Sequence, residues 1–153
     1  MKTLIVLAVA GMGFAAPCKA DALTGPGRFC GYSPVIDLLP GETVTTLENG
    51  IRAGSFRWEG AFGSLKVDGI GWASRPTGPI AEAQAGAKPA RFEQHLADGR
   101  YVVAIWNGAK GAAYFSSETP LTPDQILAIG RVTLFEEGET PSACNLRTLF
   151  VWE

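Results

Sequence analysis

The chain has 153 residues, 13 Lys and Arg against 15 Asp and Glu, and a formal net charge of -2. With 46% apolar residues it is long enough to bury one core of ordinary domain size. It carries no basic run interleaved with aromatics, which argues against nucleic acid or an anionic membrane as its main partner.

The first 20 or 22 residues read as a secretory signal peptide, with a basic start at Lys2, an apolar stretch over residues 4–16 and the small-residue site Ala20-Asp21-Ala22. The apolar stretch is too short to span a bilayer core, so no stable membrane span is expected once this segment is removed. Cleavage after Ala20 or after Ala22 leaves a single β domain from about residue 23 to residue 153, and takes away Lys2, Lys19 and Cys18, which makes the remainder more acidic. Pro17 before Cys18 speaks against a lipid anchor. The two remaining cysteines, Cys30 and Cys144, are then read as a disulfide in a secreted or periplasmic protein. That bridge would close a loop of more than a hundred residues, worth at most about 4 to 5 kcal/mol in the chain-entropy account.

Residues 25–40 hold Gly25, Pro26, Gly27, Gly31, Pro34 and Pro40, a pattern for an irregular arm with at most a short strand over residues 28–32. A β-branched run at 43–47 turns at Asn49-Gly50 into a partner strand over 51–58, where Phe56 and Trp58 share a face by alternation. Asp68-Gly69 reads as a hairpin turn that sets Val67 against Ile70 and Leu65 against Trp72. Residues 74–91 form a long loop with one helical turn at 80–85.

Residues 92–115 read as a three-stranded meander punctuated by Asp98-Gly99 and Asn107-Gly108. A two-residue turn at Asp98-Gly99 would pair Phe92 with Ile105 and His95 with Val102. The core face would then collect Phe92, Leu96, Tyr101, Val103 and Ile105. The run Tyr101 to Trp106 is apolar on both sides, so its second face should also be covered. Next comes the clearest local signal: Thr122 as N-cap, Pro123 at the first helical position, Gln125 closing a capping box and Gly130 as terminator. It predicts a short helix over about 122–129 that plugs one end of the β structure with Ile126, Leu127 and Ile129. Strands at 131–135 and 146–152 complete the chain.

The fold class that follows is all-β, an antiparallel sandwich or partly closed barrel of about seven to nine strands with one short helix.

The residues that could carry chemistry are few. His95 is the only histidine, and neither Ser116 nor Ser117 lies in a nucleophile elbow. One histidine and a paired cystine leave too few ligands for zinc, and Glu136, Glu137 and Glu139 lack the alternating pattern of a calcium loop. No metal or cofactor is expected. Trp58, Trp72, Trp106 and His95 are the candidate binding surface, because exposed aromatics mark contact sites. The expectation is an exported, non-enzymatic domain that binds a protein or envelope component, a hydrolase inhibitor being one concrete version. A β-barrel carrier of a small apolar ligand and a small hydrolase using paired carboxylates are the alternatives.

Overall fold

The computed structural model describes residues 21–81, 89–135 and 142–147. Two sheets face each other across one apolar core. The larger has seven antiparallel strands in the order β1-β4-β5-β6-β9-β8-β7, built from β1 (Ala22–Thr24), β4 (Thr43–Asn49), β5 (Ala53–Gly60), β6 (Gly63–Ile70), β7 (Ala90–His95), β8 (Tyr101–Trp106) and β9 (Ala112–Ser117). The smaller has the order β10-β3-β2-β11, from β2 (Gly27–Cys30), β3 (Pro34–Leu38), β10 (Thr133–Leu134) and β11 (Leu146–Arg147). Among the described residues neither sheet closes into a barrel, and the two sheets form an antiparallel sandwich as expected. All described pairings are antiparallel except β2 with β11.

Alternation fills the core. On the inner face of the large sheet Val44, Trp58 and Leu65 lie in one row, and Phe56, Val67, Phe115 and Val103 in the next. Phe29, Ile36 and Leu38 of the small sheet meet them, with the Phe29 and Phe56 rings 4.8 Å apart edge to face. Cutting such a phenylalanine back to alanine costs about 3–5 kcal/mol. The arm at 25–40 is therefore not irregular. Its glycines and prolines bracket two strands, Gly25-Pro26 before β2 and Gly31 between β2 and β3, and those strands form most of the second sheet.

Asp68-Gly69 is not a turn. It runs straight through β6, and the chain reverses instead at Ala61-Phe62 between the paired Gly60 and Gly63. Gly69 serves a different need: a Cβ there would stand 2.8 Å from Pro34 of the facing sheet. Asp98-Gly99 does turn the chain, but Leu96 pairs with Arg100 through its N–H at 2.9 Å, leaving the three-residue loop Ala97-Asp98-Gly99 with Gly99 at φ +88°. The register slips by one. His95 faces Tyr101, and Phe92 faces Ala104. A one-residue slip exchanges the faces of a strand. Phe92 therefore leaves the central core for the outer face, beside Val102, Ala104 and Trp106. That face is buried as well. Residues 75–81 run along β7, with Arg75 over the Phe92 ring, Pro76 buried and Ile80 bridged to Phe92. Part of the long loop is thus structural, while its helical turn falls mainly on residues outside those described.

The helix α1 (Pro123–Ile129) forms as its caps dictate, with Thr122 Oγ1 accepting from Gln125 N–H and Gln125 Oε1 accepting from Thr122 N–H. Such a cap is worth about 0.5–2 kcal/mol. Gln125 also reaches Ser64 O at 3.3 Å, docking the helix on the start of β6. Ala128 and Ile129 enter the core, but Leu127 is 71% exposed and points away from it. Among the described residues no helix is long and apolar enough to cross a membrane. Residues 1–20, expected from the sequence to be a signal peptide, the acidic run Glu136, Glu137 and Glu139, and the part of the expected last strand beyond Arg147 lie outside the described residues.

Cys30 and Cys144 are bonded, with Cα atoms 5.8 Å apart, across 114 positions of sequence. The bridge fits an oxidising compartment. It holds β11, which pairs with β2 at Leu146 and Arg147 among the described residues. Replacing both cysteines by serine is expected to lower stability in urea by about 2–4 kcal/mol with the β-sheet spectrum retained. An unchanged unfolding midpoint would contradict this role.

Candidate functional site

At one end of the large sheet Ala53, Ile70, Ala112, Trp106 and Ala90 lie in register across five strands. Three loops leave from that row: residues 50–53, 71–73 and 107–111. Their backbones are tied to one another. Gly50 N–H donates to Ala53 O at 2.8 Å, Gly71 N–H to Arg52 O at 2.9 Å and Ala73 N–H to Lys110 O at 2.6 Å. Asn107 Oδ1 accepts from the N–H groups of Ala109 and Gly111, and Trp106 Nε1–H donates to Ala109 O at 3.0 Å. The small sheet reaches into this network through Tyr32, whose hydroxyl donates to Gly50 O. Saturated backbone groups in loops make a stiff surface.

Two large apolar side chains project from it. Ile51 is 64% exposed and Trp72 is 48% exposed. Arg52 Cζ lies 4.0 Å and Lys110 Nζ 3.9 Å from the centroid of the Trp72 ring. Exposed contacts of this kind are worth about 0.5–1 kcal/mol each, enough to bias the rotamer of an otherwise free indole. The described residues of these loops and of the segment that follows, 49–54, 70–81 and 105–112, include Arg52, Arg75 and Lys110 and no carboxylate.

The four residues singled out in the sequence do not converge. Trp58 is fully buried in the core against Phe62 and Phe115, so its role is packing. Its Nε1–H finds no acceptor among the described residues, and the Arg131 guanidinium lies 5.4 Å from its ring. Trp106 is half-buried on the outer face, edge to face with Phe92. His95 is exposed at the far end of β7 and stacks on Tyr101 with centroids 4.3 Å apart. Ser117 lies in the same row, but Tyr101 stands between it and His95, and its hydroxyl pairs with Thr119. Two strand spacings, about 10 Å, separate serine from histidine, too far for proton transfer. Of the four, Trp72 alone is both exposed and held by neighbouring loops.

Ile51, Arg52 and Lys110 were not legible as partners of Trp72. A signal was present, since cations without carboxylates gather in three segments that all follow strand ends. Using it requires the true register of β6, which the Asp68-Gly69 pair obscures.

A second surface lies at the opposite end of the sandwich. The β5–β6 turn and α1 border an open groove of about 530 Å³ lined by Ala61, Phe62, Asp124, Leu127, Ala128 and Arg131. Arg131 is committed there to Glu42 and to Asp37 O at 3.2 Å. Among the described residues no three His, Cys, Asp or Glu side chains gather as metal ligands would. In comparisons with known proteins no family model matches the chain, and no curated protein or solved structure matches it either.

Burial raises the Tyr32 phenol above its ordinary value, and its hydroxyl is needed as a donor to Gly50 O. The folded protein therefore keeps this proton to higher pH than the unfolded chain does. Its stabilising contribution is complete below about pH 10 and is lost as pH rises through the folded value. Tyr32→Phe should be less stable near neutrality by about 0.5–1.5 kcal/mol and should lose less stability on going alkaline. Urea midpoints compared at neutral and alkaline pH test this, and parallel alkaline losses in the two proteins would refute it. Burial raises the Tyr114 phenol as well, so both proteins should keep some alkaline loss.

Proposed function

We propose that this chain is an exported, non-enzymatic domain that binds a protein partner through the loop end centred on Trp72. The observation that carries the reading is the half-exposed Trp72, flanked by Arg52 and Lys110 and set beside the exposed Ile51 on mutually bonded loops. Interface anchors have this character. Aromatic and arginine side chains dominate binding energy, and holding them in place beforehand reduces the entropy lost on association.

Export rests on the N-terminal pattern together with the Cys30–Cys144 bridge. Cleavage after Ala20 is favoured over cleavage after Ala22, because Asp21 O accepts from Thr46 and Ala22 pairs with Thr45 at the start of β1. A bacterial periplasm is the compartment that suits these features. The core between the sheets is occupied by Phe29, Phe56, Trp58 and Phe115, which supports binding at the surface over carriage inside. Inhibition of a hydrolase is one concrete form such binding would take.

Native and denaturing mass spectrometry of the protein from its own exported fraction tests this. The native mass is expected to exceed the denatured one by a whole polypeptide, and Trp72→Ala should abolish the excess. A gain of a few hundred daltons would support a ligand carrier instead, and equal masses would remove the support for a partner.

A further inference from the structure

Several cations of the fold are held in ion pairs. Arg28 pairs with Asp37, Lys66 with Asp68, Arg91 with Glu93, Arg100 with Asp98 and Arg131 with Glu42. Arg52 and Arg75 form no ion pair among the described residues. Their guanidinium groups lie over the aromatic rings of Trp72 and Phe92. A guanidinium stacked on a ring still carries N–H donors along its edges, directed away from that ring. At the Trp72 end the donors of Arg52 stand beside the exposed Trp72 and next in sequence to the exposed Ile51, in loop segments without a carboxylate.

The protein as a whole has the opposite sign, with a formal charge of -2 and an isoelectric point near 5.5. Against that net negative charge, the described residues of the loop segments at this end bear Arg52, Arg75 and Lys110 and no carboxylate. Such asymmetry orients an approaching partner more than it raises bulk affinity. Once the partner is seated, Ile51 and Trp72 need apolar contact, and the arginines need carboxylates at the edge of that contact.

We infer that the Trp72 end docks an acidic segment of a partner protein, one in which an apolar side chain is flanked by Asp or Glu. The inference rests on the protein-binding reading above and adds the chemistry of the partner. An anionic lipid surface fits less well. Membrane attachment by charge draws on clusters of basic residues, and this overall acidic chain offers only a small group of cations beside two apolar side chains.

The test uses the processed protein and a fluorescently labelled short peptide of Asp and Glu containing two Leu residues. Poly-glutamate and vesicles of anionic phospholipid are run beside it. Saturable binding of the peptide is expected, weakening as salt rises through about 0.15 M. Arg52→Glu and Trp72→Ala should each raise the dissociation constant about tenfold or more. Arg57→Glu makes the same change of charge on the exposed outer face of β5, away from these loops, and should stay within about twofold of the unmodified protein. Equal weakening by Arg57→Glu would reduce the effect to net charge and overturn the inference. Equal affinity for poly-glutamate would remove the apolar component and overturn it too. Binding to vesicles but not to peptide would overturn it in favour of a membrane, and binding to none of the probes would overturn it outright. A polypeptide retained in the native mass spectrum despite failure with the peptide would leave protein binding standing, with a partner of different chemistry.

Discussion

The structure depends on how closely one corner of the small sheet approaches the large one. Residues 31–34, Gly-Tyr-Ser-Pro, link β2 to β3 and press onto a row of small residues in the large sheet, where Gly54 pairs with Gly69 and Gly69 with Ala113. A Cβ at Gly69 would meet Pro34, and one at Gly54 would strike the Tyr32 ring. From the other side, a Cβ at Gly31 would stand 3.0 Å from Phe56. Mid-strand glycine costs about 0.5–1 kcal/mol relative to alanine, so steric necessity rather than strand propensity accounts for two of them side by side. The contact lets Phe29 reach Phe56, and from it the two sheets share one core.

The same corner fixes the loop end. With the Tyr32 ring against Gly54, its hydroxyl reaches Gly50 O, and Ser33 O accepts from Phe135 N–H. The loops carrying Ile51, Arg52 and Trp72 are therefore continuous with the core through hydrogen bonds. Rigidity at the surface follows from close packing beneath it. An aromatic residue between cations on a mobile loop would offer little for binding, because ordering it would consume the contact energy. The proposal of a docking end thus depends on the glycines as much as on Trp72.

What could be read from the sequence divides along physical lines. The helix was legible because its signals are local: Thr122, Pro123 and Gln125 satisfy backbone groups within one turn. The cystine was legible because reading the N-terminus as a signal peptide sets Cys18 aside and leaves two cysteines with one partner each. The alternation in β5 and β8 correctly grouped Phe56 with Trp58 and Val103 with Ile105. Failures came where one residue type serves two ends. Gly69 looks like a turn glycine yet provides clearance for Pro34, and Gly99 supports a three-residue loop where two residues were expected. Pro34 looks like a breaker, yet it begins β3 with its ring against the opposite sheet. Each of these depends on a neighbour distant in sequence. For the same reason Trp72 could be nominated, but its cationic neighbours could not.

The measurement that bears most directly on this account is native-state amide hydrogen exchange at Gly71 and Ala73, whose N–H groups bond to Arg52 O and Lys110 O. If the loop end is an extension of the core, these amides exchange as slowly as those of Val103 and Ile105 in β8, requiring the same global opening. Exchange orders of magnitude faster than in β8 would mean that the loops open independently, and would contradict a preformed binding end.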